Sequence, residues 1–143
     1  MKSFDVMIIG GGPGGYVAAI RAAQLGMKTA LVEKSKLGGM CLNWGCVPAR
    51  RLMESARFFE RIKSASAFGV EGLDANALSF NWKRAVAEKD RIVTKLVKGV
   101  EFLMKKNKVE VISGEAKLLG GAQVVVKGET YSAGKTVIAT GSR

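Results

Sequence analysis

Cys41 and Cys46 are the only two thiols among 143 residues, and they sit in the run Gly38-Gly39-Met40-Cys41-Leu42-Asn43-Trp44-Gly45-Cys46-Val47-Pro48-Ala49-Arg50. Three kinds of chemistry are open to such a pair. Lone cysteines are most often buried and inert, behaving as small apolar residues. A zinc site needs closer spacing and further ligands, and the sequence has no third cysteine and no histidine. A redox disulfide needs Cα atoms about 4.4–6.8 Å apart, whereas positions i and i+5 of an ideal helix lie about 8–9 Å apart. Bridging the pair therefore calls for a distorted helix entry, which Gly38, Gly39 and Gly45 permit. A helix starting near Cys46 would also point the positive end of its dipole at that sulfur and favour the thiolate. Accessible disulfides under strain are the reducible, catalytic ones.

A second constellation lies upstream. Gly10-Gly11-Gly12-Pro13-Gly14-Gly15 fits G-x-G-x-x-G with Gly10, Gly12 and Gly15 at the key places. The first glycine allows a tight turn, the second lets backbone approach a pyrophosphate, and the third lets helix pack on strand. An apolar run over 4–9 precedes it, as a buried parallel strand would. A helix from Pro13 to Leu25 follows, with proline suited to its first turn and Gly26 to its end. Its free N–H groups would hold phosphates. A second strand, Lys28 to Val32, delivers Glu33 eighteen residues after Gly15, where a carboxylate can bond a ribose diol. With strand, helix and acid all in place, a dinucleotide site is expected, and a nearby cysteine pair reads as a disulfide laid beside a flavin.

The cysteine run resembles the active-site segment of the flavin disulfide reductases, whose pattern is G-G-x-C-x-x-x-G-C-[IV]-P-[ST]-K. The L-N-W-G-C wording and the later G-V-E-F-L-M-K-K-N-K resemble dihydrolipoamide dehydrogenase more than glutathione or mercuric reductase. The likeness covers essentially the whole chain but about the first third of such an enzyme. It implies FAD as cofactor, with NAD bound by a domain outside this sequence. Cys41 would be the interchange thiol that meets a lipoyl-type dithiol, and Cys46 the thiolate against the flavin. Gly10, Gly12, Pro13, Gly15, Glu33, Lys34, Gly39 and Met40 would surround the ADP and pyrophosphate, Gly114 and Ala116 the adenine, and Thr140, Gly141 and Ser142 the rest of the cofactor. One departure stands out: the family's [ST]-K is Ala49-Arg50 here. Arg50 keeps the positive charge near the flavin, but guanidinium is larger and planar, so the exchange is not conservative. Another reductase of the group, or a nucleotide-binding module with structural cysteines, is the competing reading.

The remaining elements position these groups. Leu52–Ile62 reads as a helix with Met53, Phe58 and Phe59 toward a core, and 64–80 as a looser connection. Asn81–Lys106 reads as a long helix, with Val86, Val93, Leu96, Val97, Val100 and Leu103 on its apolar stripe. Val109–Ile112 suits a third parallel strand. Ala116–Leu119, Gln123–Lys127 and Thr130–Ser132 read as an antiparallel β-meander, and 136–142 as a fourth buried strand leaving through A-T-G. The expected fold is α/β, a Rossmann-like FAD-binding domain with a parallel sheet, helices and a small antiparallel β-meander crossover (about 115–132), incomplete relative to the family. Residues 1–143 are thus expected to be the N-terminal part of that domain, with 38–50 as its redox-disulfide segment.

Composition sets the outer limits. The chain is 48% hydrophobic, enough for a core, yet no apolar run reaches the ~20 residues of a membrane span. Its first ten residues read as a strand rather than a secretory leader, so cytoplasm, or an organelle matrix after removal of a transit peptide, is the expected compartment. The formal charge of +11 comes from scattered Lys and Arg without an aromatic stacking array, so nucleic acid is not the expected partner. With no histidine, an acid–base imidazole must come from elsewhere; in the resembled family it comes from the partner subunit of a homodimer, which can belong to a 2-oxoacid dehydrogenase complex. The chain alone is expected not to turn over.

Overall fold

The computed structural model describes residues 1–142. Six strands form one sheet: β1 (Lys2–Ile9), β2 (Thr29–Glu33), β3 (Glu110–Ser113), β4 (Ala116–Leu119), β5 (Gln123–Val126) and β6 (Glu129–Ile138). Their order is β3-β2-β1-β6-β5-β4. The pairs β3/β2, β2/β1 and β1/β6 are parallel, and β6/β5 and β5/β4 antiparallel. The helices are α1 (Pro13–Gln24), α2 (Gly39–Asn43), α3 (Cys46–Lys63) and α4 (Trp82–Lys106). This is the mixed α/β, Rossmann-like arrangement expected from the sequence.

Period-two alternation divides the core. Val6, Ile8 and Leu31 face Ala19 of α1, Met104 of α4 and Val109. Met7, Ala30 and Val32 face the other way and pack with Val124, Val126, Tyr131 and Ala133. β3 and β4 stand at opposite edges of the sheet yet are joined only by Gly114 and Glu115, and a Cβ on Gly114 would lie 2.7 Å from Val126, so the antiparallel end curls back over the parallel part. Burying side chains such as Met7, Ile8 and Leu31 contributes about 1.5–3 kcal/mol each, and all three are at most 1% exposed.

Several expectations are corrected. The third meander strand and the last parallel strand are one ten-residue strand, β6, with no break at Ala133-Gly134. A Cβ on Gly134 would lie 2.9 Å from the Asp5 carbonyl oxygen, so the glycine marks close approach to β1 rather than a turn. Nor is the end of β6 buried: Ile138 is 65% exposed. Past Ala133 the strand pairs with β1 alone among the described residues, leaving its other edge open. The helix expected from Leu52 begins six residues earlier, at Cys46, because Pro48 lies in the first turn, where a missing N–H costs nothing. Met53 and Phe58 are exposed rather than core. α3 packs beside α4, and Phe59 of α3 meets Phe80, which in turn meets Trp82 at the start of α4. Along α4, Leu96 and Leu103 are also exposed, while Val100 and Met104 are buried.

Candidate active site

The glycine-rich turn is built by close backbone packing. A Cβ on Gly10 would collide with the Ala139 carbonyl oxygen, and one on Gly15 with the carbonyl oxygen of Gly10. Gly10 adopts φ 109°, a left-handed value that glycine alone takes readily. Gly12 differs: it caps α1 at φ −74°, and the nearest atom to its Cβ position is 3.9 Å away. No side chain caps α1, so its first N–H groups face an open cleft.

Glu33 closes β2 with its carboxylate already engaged at both ends. Oε2 accepts from the Gly11 N–H at 2.7 Å and Oε1 from the Ser35 N–H at 2.7 Å. The Gly38 N–H in turn donates to the Gly11 carbonyl at 2.8 Å, tying the cysteine segment to the glycine turn. Gly39 then lies so close that its Cβ would be 2.7 Å from Cα of Gly12.

Cys41 and Cys46 form a disulfide with Cα atoms 4.6 Å apart. Continuous helical geometry would hold them too far apart, and the chain resolves this by using two helices. Cys41 is on the five-residue α2, Trp44 and Gly45 break the path, and Cys46 opens the 18-residue α3. The dipole of α3 therefore ends at Cys46 and favours a thiolate there. Cys41 is half-buried and Cys46 exposed.

Most residues singled out from the sequence converge on two adjoining cavities. A cleft of about 650 Å³ is lined by Gly10, Gly12, Pro13, Glu33, Lys34, Gly39, Met40, Cys41, Cys46 and Thr140 to Ser142. A neighbouring recess of about 350 Å³ shares Gly10, Glu33, Lys34 and Thr140 to Ser142 and adds Gly114 and Ala116. Gly15 is packed beneath the turn, and Arg50 is exposed on α3; neither lines these cavities. Lys34 pairs with Glu115 across the recess at 3.3 Å, both exposed. A larger cavity of about 750 Å³, floored by Val97, Met104 and Val109, holds no cysteine. Two further residues belong to the site: Trp44 lines the cleft, and the Asn43 side chain donates to two backbone carbonyls. The only signal for either was their place inside the L-N-W-G-C string. Among the described residues no acidic, Cys or His cluster could hold a metal ion, and no helix is long and apolar enough to cross a membrane.

A disulfide on the wall of a glycine-turn cleft in an α/β sheet defines a class, and comparison with known proteins agrees. The family model for pyridine nucleotide-disulphide oxidoreductase matches residues 4–143, and the chain belongs to that family. FAD and NAD are the cofactors that this membership implies. Among relatives, the dihydrolipoyl dehydrogenase of Acholeplasma laidlawii is 46% identical over 141 residues, covering 99% of this chain and 41% of that protein. Dihydrolipoyl dehydrogenases of Zymomonas mobilis (46%) and Bacillus subtilis (45%) match 98% and 94% of the chain, each over 30% of its own length. The chain thus spans about 30–41% of the relatives it matches.

Proposed function

We propose that residues 1–143 are the N-terminal part of the FAD-binding domain of a dihydrolipoyl dehydrogenase-type oxidoreductase, carrying electrons from a lipoyl-type dithiol through Cys41 and Cys46 to FAD and then NAD. The observation that carries this reading is the disulfide on the wall of the same cleft as Gly10, Gly12 and the open end of α1. The cleft fits the cofactor: Gly12 has space where a Cβ would otherwise intrude, unpaired N–H groups suit a pyrophosphate, and the Glu33 carboxylate has further lone pairs for a ribose diol. When bound, FAD supplies a two-electron acceptor next to the dithiol.

The chain's own part is thiol–disulfide exchange. A substrate thiolate attacks Sγ of Cys41, the Cys41–Cys46 bond breaks, and Cys46 leaves as a thiolate. The second substrate thiol, losing its proton, attacks the mixed disulfide and releases Cys41 as a thiol. Substrate departs as a disulfide, and the protein holds its two electrons as a dithiol. Exposure alone favours attack at Cys46, but the better leaving group decides exchange rates between otherwise similar sulfurs. The α3 dipole makes Cys46 that leaving group. A histidine base, the NAD site and a homodimeric partner belong to the longer protein, as does any place in a 2-oxoacid dehydrogenase complex. Cytoplasm suits a pair that must cycle through the dithiol.

The chain purified with FAD and reduced anaerobically by two electrons should gain a long-wavelength thiolate–flavin absorption band. Cys46→Ser should abolish the band while flavin stays bound. Bound flavin without the band in the unaltered chain would mean the cysteines are structural. The same preparation should form no NADH from dihydrolipoamide.

A further inference from the structure

Asn43 ends α2, two residues after Cys41. Its Nδ2 donates to the Leu37 carbonyl at 3.0 Å and to the Gly39 carbonyl at 3.0 Å, from a half-buried position. Those carbonyls flank the turn that meets the glycine loop. Gly38 and Gly39 both take left-handed backbone values (φ 94° and 57°), Gly38 donates to Gly11, and Gly39 lies against Gly12. A five-residue helix cannot hold itself in water, because nucleation outweighs the few bonds it makes. The place of α2, and with it of Cys41, is therefore set by what pins its ends. The disulfide pins one side and the Asn43 amide the other.

We infer that Asn43 is a positioning residue joining the disulfide to the nucleotide loop, so that a nucleotide held at Gly10–Gly15 favours the disulfide over the dithiol. This rests on the reading of that loop as a nucleotide site. In the dithiol form the Asn43 amide is the side-chain tie that remains, and it links the end of α2 to the turn that the Gly38 bond to Gly11 anchors. A bound nucleotide fixes Gly11 and Gly12, which fix Gly38 and Gly39, which through Asn43 hold Cys41 near Cys46 and raise the thiols' effective concentration for each other. By linkage, the same factor must separate nucleotide affinity for the two redox forms.

ADP is the suitable probe, because it fills a nucleotide site without adding a redox-active flavin. The purified chain is equilibrated with glutathione and oxidised glutathione. Oxidised glutathione takes two electrons and two protons from Cys41 and Cys46, giving the protein disulfide and two glutathione thiols. Saturating ADP should shift this equilibrium toward the disulfide by about fivefold or more. Asn43→Asp keeps the side-chain size but puts an oxygen where the donor was. It should abolish the ADP shift, and without ADP it should move the equilibrium toward the dithiol by a similar factor. A purely structural Asn43 would lower the melting temperature and leave the ADP shift intact, which would overturn the inference. If Asn43→Asp does not fold, Asn43→Ser should show the same loss, and absence of any ADP shift in the unaltered chain overturns the coupling regardless of variants. Calorimetry keeps the two readings apart. No ADP binding at all refutes the nucleotide loop, while the ADP-free equilibrium of Asn43→Asp still decides whether Asn43 positions Cys41.

Discussion

At the scale of residues, the glycines of one motif do different work, and substitution separates them. Gly15→Ala drives a methyl into the Gly10 carbonyl, and overpacking of that kind costs about 3 kcal/mol. Melting of that variant should show the loss with or without ligand. Gly12→Ala should behave oppositely. Its backbone is ordinary for alanine and the methyl meets nothing closer than 3.9 Å, so the ligand-free chain should keep its stability to within about 1 kcal/mol, the reduced unfolded-state freedom offsetting the poorer N-cap. FAD affinity, followed by flavin fluorescence quenching, should nevertheless fall about tenfold or more, because on the proposed reading the methyl would stand where a pyrophosphate approaches. Tyr131 supplies a pH test. Its hydroxyl donates to Glu129 Oε2 at 2.5 Å, and this bond, with burial and the charges of Glu129 and Glu110, holds its pKa above the ordinary 10.0. The protonated form is favoured in the folded state, so the contribution to stability is complete below pH 10 and is lost as pH rises from there through the raised value. Ultraviolet titration should show a tyrosine transition above pH 10 that disappears in Tyr131→Phe.

At the scale of elements, the disulfide joins positions only five apart in sequence. Its loop-closure contribution is correspondingly modest, about 2 kcal/mol against about 4.7 for a hundred-residue loop. Reduction should therefore lower the melting temperature by a few degrees and leave the far-ultraviolet dichroism of the sheet and of α3 and α4 intact, as a pair that must open and close requires. The glycine turn, Glu33 at the end of β2 and the long α4 were all legible in the sequence, because each depends on local spacing. What escaped depends on neighbours distant in sequence. Gly134 reads as a break until β1 lies beside it. Phe58 and Met53 read as core because helical periodicity marks an apolar face without saying whether anything covers it. The two-helix path between the cysteines was half legible: the sequence demanded a distortion, but only the fold shows it as a break at Trp44 and Gly45. The side-chain bonds of Asn43 have no periodic signature at all.

At the scale of the whole molecule, most of the cleft is assembled where strands end. Gly10 follows β1, Glu33 ends β2, Gly114 follows β3 and Ala139 to Ser142 follow β6. The parallel strands deliver their carboxyl ends to one place, the general position of ligands in open α/β sheets. The same sheet carries the half-bare β6. From Gly134 to Ile138 it offers backbone on one edge, with Val137 and Ile138 exposed and Lys135 the nearest charge. Such an edge is a template for further pairing, and charge is what holds copies apart. The formal charge of +11 does so at low ionic strength, and salt shortens its reach from about 30 Å at 0.01 M to about 3 Å at 1 M. Colloidal behaviour should therefore run against the habit of adding salt to keep a basic protein dispersed. Light scattering should show clusters growing with sodium chloride, and Ile138→Lys should delay them to higher concentrations of both salt and protein.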